Sequence, residues 1–494
     1  MPRTRPASTK IVCTIGPASN KIVVLKKLLK AGMDVCRLNF SHGSHGDHLE
    51  NYERIRSLSK EGDPAVLVDL CGPKMRTGDI EEGTVIKTGQ EFIFSAKIGL
   101  EGNSEICSTN YPPLINDAQI GNHLAVDDGL LLFRVIKKTK DELVCTVLNG
   151  GALKSRKGIN APDVPLSLYF PTVKDLEDIR YVIRKFEEPA DFLAASFVRR
   201  KEDILQVRKI LDDAHSQTRI ISKIENRDGI KNFDEILEVS NGIMVARGDL
   251  GIEIPSEQVP IVQKQIIKKC NAAGKPVIVA TQMLDSMIRN PRPTRAEVSD
   301  VSNAIIDGAD AVMLSGETAV GKYPVETVNY MEKILREIQA NIHLITSTRE
   351  YSVDDPSIAE VLGRGTNIIS KAKSLNIKAI VTATRTGGTT CLIAKYRPEI
   401  RIIAGTPYST VKRQLNLTWG VIPLQVKVTP SFNELIYVIV DSAVKQELLS
   451  PKDTIIVVGG SLLGFPAKTN QIQILKVEDV LLYGEQLQRD IGVA

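Results

Sequence analysis

The chain has 494 residues, enough for about three domains at ~150 residues each and for a large buried core. Apolar residues make up 43% and charged residues 25%, the profile of a globular protein, and 63 Lys plus Arg against 59 Asp plus Glu leave a net charge of only +4. A balance that even argues against general nucleic-acid binding, and the lack of any charge-free apolar run of about 18 residues argues against a membrane span.

Met1–Lys10 is too short and polar for a secretory signal. The seven cysteines are odd in number, widely spaced and without a CxxC pair. That pattern predicts a reduced, cytoplasmic chain with neither a zinc site nor a disulfide framework. His42, His45 and His48 surround Gly43 and Gly46 and read as solvated loop histidines.

In chain order, eight short and almost continuously apolar runs are Lys10–Ile15, Asp34–Leu38, Ala65–Leu70, Asp191–Ser196, Arg219–Ile224, Gly242–Ala246, Pro276–Ala280 and Asp310–Leu314. Such runs suit strands buried on both faces of a parallel sheet. Helical patterns such as Ser256–Cys270, Thr294–Ile306 and Pro324–Ala340 fill the gaps. The expectation is a (β/α)8 barrel, split into residues 1–71 and 166–345.

Between the third and fourth runs, residues 72–165 lack helical periodicity and carry Gly-rich turns with alternating pieces such as Gln90–Phe94 and Glu142–Leu148. This predicts an inserted all-β lid domain, leaving the barrel at the carboxyl end of strand three, where barrel enzymes do their chemistry. From about residue 346 to 494 the pattern resets. A helix over Ser357–Ser374 precedes runs at Lys378–Val381, Arg401–Ala404, Gly420–Leu424 and Thr454–Val458, which predicts an open C-terminal α/β domain.

Polar residues gather where the runs end. Lys223 and Glu225 lie two apart, on one face of the fifth strand. Asp249 follows the sixth on a Gly-flanked turn. Two carboxylates and an ammonium at one rim fit either a divalent cation, Mg²⁺ or Mn²⁺, held by Glu225 and Asp249, or a purely structural ion network. Arg37, Asn39 and Ser41 alternate at the end of the second run, and Asp69 closes the third, ahead of Lys74 and Arg76. Arg37 and Arg76 are guanidinium forks suited to phosphoryl oxygens, or else surface ion pairs. Thr281 and Ser315 end the last two runs, as substrate contacts or as helix caps. Forks, a divalent metal, a lysine and a lid are equipment for phosphoryl transfer. No GxxxxGKS/T loop and no HRD/DFG set is present, so neither common kinase class applies.

The segments TKIVCTIGPAS from Thr9, RLNFSHG from Arg37, IISKIEN from Ile220, VARGDLGIEIP from Val245, ATQMLDSM from Ala280, NPRPTRAEVSDV from Asn290 and MLSGETAVGKYP from Met313 closely resemble pyruvate kinases. The resemblance spans essentially the whole chain. It implies transfer of the phosphoryl group of phosphoenolpyruvate to ADP, giving pyruvate and ATP. It implies that Glu225 and Asp249 hold the metal, that the Gly248 and Asp249 amides with the Thr281 hydroxyl hold the substrate carboxylate, and that Lys223 and Arg37 neutralise the phosphoryl group. Asn39, His42, Arg76 and Lys157 would face the nucleotide. The enolate's proton donor stays open among Thr281, Ser315 and water. A homotetramer is also implied.

Two departures from the family pattern stand out. Where many members carry Asp-Thr-Lys-Gly-Pro-Glu, this chain has Asp69-Leu70-Cys71-Gly72-Pro73-Lys74. Members with the Glu use K⁺ near positions matching Asn39, Ser41, Asp69 and Leu70. Lys74 is expected to stand beside Asp69, fill that pocket and remove the need for K⁺. The other departure is Asn160-Ala161-Pro162-Asp163 at the lid's return, where Asn-Leu-Pro-Gly is usual. In the last domain, Thr384, Arg385, Thr386, Gly387 and Thr389 follow a strand and open a helix. They resemble the family's effector-phosphate loop, so a sugar-phosphate or nucleotide effector is expected, with Lys468 in the loop Gly459–Asn470 as a second charge. Two other readings are a metal-dependent aldolase or lyase acting on pyruvate or its phosphate, which ADP-dependent turnover separates, and a silent metabolite-binding scaffold, which retention of Lys223, Glu225, Asp249 and Arg37 disfavours.

Overall fold

The computed structural model describes residues 7–60, 62–164, 166–167, 169–345, 356–460 and 469–492. The eight apolar runs form a closed, all-parallel barrel of strands Lys10–Thr14, Val35–Asn39, Ala65–Asp69, Phe192–Ala195, Arg219–Ile224, Gly242–Ala246, Val277–Ala280 and Ala311–Leu314, the last pairing with the first. Small and medium side chains such as Val12, Ala65, Ala194, Met244 and Ala311 fill its interior. A larger shell of Leu, Ile, Val and Met lies between the strands and the surrounding helices. Continuous apolarity follows from this double burial: one face of each strand meets the barrel interior and the other meets a helix.

The insertion is a β domain whose main sheet has seven strands, built from segments between Met75–Arg76 and Gly158–Asn160. Along Leu131–Lys138 buried and exposed residues alternate, as one covered face requires. Phe92, Phe94 and Phe133 pack edge-on or tilted at 5.0–5.4 Å in its core. Arg76 lies on the first lid strand, paired with Gly158, and so belongs to the lid and not to a barrel strand end.

The last domain is a five-stranded sheet ordered Val421–Gln425, Arg401–Thr406, Ile377–Ala383, Thr454–Gly459 and Gln471–Lys476. The final strand runs antiparallel to its neighbour and is not among the sequence-predicted runs. Its mixed Gln/Ile alternation is that of a half-covered edge. This domain closes the amino end of the barrel. Leu417 is fully buried among the barrel-interior residues. Around it, Arg413 Nε reaches Asp191 at 2.8 Å, Arg397 Nη1 reaches Asp310 at 2.8 Å, and Lys10 Nζ donates to the Val421 carbonyl at 2.7 Å. These groups lie at the starts of barrel strands, opposite the polar rim.

Candidate active site

Four charged side chains meet inside the carboxyl rim. Asp69, fully buried, accepts Arg37 Nε at 2.6 Å and Lys223 Nζ at 3.2 Å. Lys223 Nζ also lies 3.1 Å from Glu225 Oε1 and donates to Ser196 Oγ at 2.7 Å. Arg37 Nη1 donates to Thr14 Oγ1 at 2.9 Å, and Glu225 Oε2 accepts the Phe197 N–H at 2.6 Å. The pairing of the Lys223 ammonium with Glu225 is what their two-residue spacing on a single strand predicts.

Burial works against each of these charges, and the partners decide the outcome. Burial alone would raise the Asp69 carboxyl, but the charges of Lys223 and Arg37 hold it below its ordinary value. Burial opposes the Lys223 ammonium, yet Asp69 and Glu225 hold it above the usual lysine value, so it is fully charged at neutral pH. Burial raises the Glu225 carboxyl; Lys223 pulls it back, and nearby Asp249 pushes it up again. Two neighbouring hard carboxylates form a donor set suited to Mg²⁺ or Mn²⁺. No group of three or more His, Cys, Asp or Glu ligands exists among the described residues, so oxygens of substrate or water must complete any coordination there.

Asp249 differs from expectation in its setting. It sits in the first turn of the helix Arg247–Glu253 and not on an open turn. Lys74 pairs with it, Nζ to Oδ1 at 2.9 Å, and not with Asp69, whose charge Arg37 and Lys223 already satisfy. The Lys74 ammonium also lies 5.9 Å from the centre of the Phe197 ring. The predicted monovalent-cation residues Asn39 and Ser41 join through the Ser41 N–H and Asn39 Oδ1 at 3.2 Å. Leu70 offers its carbonyl to Ser196 Oγ at 2.7 Å.

Across the next two loops, Thr281 Oγ1 accepts the Gly248 N–H at 2.8 Å and donates to the Ala280 carbonyl at 2.6 Å. The buried Glu317 accepts the Ser315 N–H at 2.7 Å and the Leu284 N–H at 3.1 Å, tying the last two rim loops together.

A cleft of about 870 Å³ runs between rim and lid, lined by Ser41, His42, Lys74, Arg76, Arg156 and Lys174 among others. None of its lining residues is a carboxylate. Burial, with the charges of Arg76, Arg37 and Lys74, holds the His42 imidazole below its ordinary value, so it is neutral at pH 7. A cleft with cations and no acids suits a polyanion.

Two models of known families match the chain: "Pyruvate kinase, barrel domain" over residues 6–328 and "Pyruvate kinase, alpha/beta domain" over residues 366–475. A pyruvate kinase of Geobacillus stearothermophilus is 46% identical over 489 residues, covering 97% of this chain and 82% of that relative. Pyruvate kinases of two Staphylococcus aureus strains, MRSA252 and USA300, are 46% and 47% identical over 488 residues with the same coverage. The chain belongs to the pyruvate kinase family. It is therefore a phosphotransferase.

Several residue placements depart from the sequence reading. Lys157 does not line the cleft; its Nζ pairs with Asp127 of the lid at 2.8 Å, and Arg156 lines the cleft in its place. His45 and His48 belong to the helix His45–Arg56, where His48 is buried and stacks on Phe40 with centroids 4.0 Å apart. Sequence reasoning passed over Ser196 and Lys174. Ser196 ends the fourth barrel run and was findable by the same strand-end rule. Lys174, on the helix Val173–Lys185, carried no such signal.

In the last domain, Thr384, Arg385, Thr386 and Gly387 lie on one loop ahead of the helix Gly388–Ala394, and Thr389 lies in the first turn of that helix. The Gly387 amide is not free, since it donates to Thr384 Oγ1 at 2.9 Å. Thr389 Oγ1 meets Thr469 Oγ1 at 2.8 Å, and Arg385 Nη2 donates to the Tyr408 hydroxyl at 3.1 Å. Lys468 lies outside the described residues.

The lid's return is fastened by Asp163, which stands where the family usually has Gly, and by the retained Asn160. Asp163 pairs with His123 at 2.9 Å and with Arg227 at 3.6 Å, and Asn160 Nδ2 donates to Glu253 Oε1 at 3.3 Å. Burial pushes the Glu253 carboxyl up from 4.5 to about 7. The folded chain thus binds this proton more tightly than the unfolded chain. The stabilisation is complete below the unfolded value of 4.5 and is lost as pH rises through about 7. Glu253→Gln should remove that slope. Above pH 7 its thermal midpoint should exceed the parent's, by the equivalent of about 3 kcal/mol, while the two converge near pH 5. Parallel melting curves across that range would contradict the assignment.

Proposed function

We propose that this enzyme transfers the phosphoryl group of phosphoenolpyruvate to ADP, taking up one proton and releasing pyruvate and ATP. The observation that carries the reading is the buried Lys223 ammonium, fixed between Asp69 and Glu225 beside Arg37 at the barrel rim. Both cations are preorganised where a phosphoryl group changes oxygens, and in a desolvated site such charges act without reorganisation. Arg37 grips the phosphoryl oxygens from one side while Lys223 neutralises charge as it develops. The Gly248 and Asp249 amides and the Thr281 hydroxyl hold the carboxylate, which takes over the hydrogen bond that the Gly248 N–H otherwise gives to Thr281 Oγ1. Glu225 and Asp249 hold Mg²⁺ or Mn²⁺, which supplies charge neutralisation at the substrate oxygens. Asn39, His42 and Arg76 face the nucleotide, and the cation-lined cleft supports that placement; Lys157 joins them only on leaving Asp127. The enzyme acts in the cytoplasm as a homotetramer.

The chain also carries its own monovalent charge. Lys74 places an ammonium within the acidic rim, which supports little or no K⁺ requirement in the pocket of Asn39, Ser41, Asp69 and Leu70. The last domain binds a sugar-phosphate or nucleotide effector on the loop Thr384–Thr389. Its contact with the barrel supports a regulatory role: Arg219, first residue of the strand carrying Lys223, donates to the Thr386 carbonyl at 2.5 Å.

A coupled assay of pyruvate formation should show turnover that needs phosphoenolpyruvate, ADP and Mg²⁺ together. Lys223→Met should lower kcat by about 10³-fold with little change in the KM for ADP. Turnover without ADP would point to a lyase instead. In tetramethylammonium buffer the parent should run at full rate without K⁺, whereas Lys74→Glu should acquire K⁺ activation; strong K⁺ activation of the parent rejects the tethered-charge reading. Thr386→Glu should abolish activation by sugar phosphates and nucleotides while sparing basal turnover, and survival of that activation would remove the effector from this loop.

A further inference from the structure

Thr281 and its successor Gln282 have φ of 72° and 53°, in the left-handed region. For a β-branched residue that is an outlier, and it persists only where surrounding groups impose it. The imposing group is Arg247. Its Nη2 donates to the Thr281 carbonyl at 2.8 Å and its Nε to the Ala280 carbonyl at 3.3 Å. Its Nη1 is anchored by Asp300 at 2.6 Å, with Gln263 Oε1 at 3.5 Å. Each guanidinium nitrogen thus faces a protein group, and Arg247 does not line the cleft. The next residue completes the grip, because the Gly248 N–H holds the Thr281 hydroxyl at 2.8 Å. The first two residues of the helix Arg247–Glu253 therefore fix both the backbone and the side chain of Thr281.

We propose that Arg247 is a positioning residue for the reaction: its fork holds the Thr281 carbonyl and so aims the Thr281 hydroxyl at the substrate carboxylate. The inference rests on the reading of Thr281 as a substrate contact. A lysine cannot replace the fork, since one ammonium does not span two carbonyls and a carboxylate in a fixed plane.

The test is a kinetic cycle on the full chain with phosphoenolpyruvate, ADP and Mg²⁺. Arg247→Lys should lower kcat/KM for phosphoenolpyruvate by about 10²-fold and leave the KM for ADP unchanged. Added guanidinium should partly restore Arg247→Ala. The double variant Arg247→Ala/Thr281→Ala should be no slower than Thr281→Ala alone. Losses that multiply in the double variant, wild-type constants in Arg247→Lys, or loss of folded protein in both Arg247 variants each overturn the positioning role. Wild-type kinetics in Thr281→Ala remove the Thr281 reading itself, and this inference with it.

Discussion

Asp69 is the charge on which the rim depends. It is wholly buried, yet it stays ionised because Arg37 and Lys223 both bond it. In return it holds two cations in a desolvated place that neither would occupy alone. Removing one member of such a cluster leaves the others uncompensated, at a cost of several kcal/mol. Lys223 then spans from Asp69 to Glu225, and Glu225 senses Asp249, which Lys74 satisfies. The acids Asp69, Glu225 and Asp249 face the bases Arg37, Lys223 and Lys74. The rim is therefore balanced before any substrate arrives, and a divalent counter-ion offsets most of the charge that a phosphorylated carboxylate brings in.

The barrel makes this arrangement affordable. Parallel strands buried on both faces give rigid ends, and each polar side chain of the cluster sits at or just past one of those ends. Loops then add what rigid strands cannot. Thr281 accepts a left-handed backbone, Glu317 ties the seventh and eighth rim loops, and Lys74 reaches in from the segment that leads to the lid.

Much of this was legible in the sequence because its signals are local. Continuous apolar runs marked all eight barrel strands, with no end displaced by more than one residue. Spacing by two placed Lys223 beside Glu225. What failed to show was long-range pairing. Lys74 and Asp249 are far apart in the chain, and nothing in either neighbourhood reveals that a flexible side chain chooses Asp249 over Asp69. Arg156 and Lys157 are adjacent cations, and only the lid's fold decides which one meets Asp127 and which the cleft. Leu417 reads as an ordinary apolar residue after a helix, but it closes the barrel's amino end.

That closure also ties the last domain to a strand that carries the rim's lysine. The strand Arg219–Ile224 begins at a hydrogen bond to the Thr386 carbonyl and carries Lys223 near its other end, about 13 Å away at the rise of an extended chain. Gln414 holds the residues just before it, through the Gln217 carbonyl at 2.8 Å. A strand paired on both sides within a closed barrel does not bend independently, so a displacement imposed at Arg219 is resisted by the whole sheet or carried along it. The Lys223 ammonium is the group least able to accommodate such a shift silently, because Asp69, Glu225 and Ser196 all hold it within 3.2 Å. The Thr386 carbonyl is thus bonded to the strand of greatest electrostatic consequence in the protein.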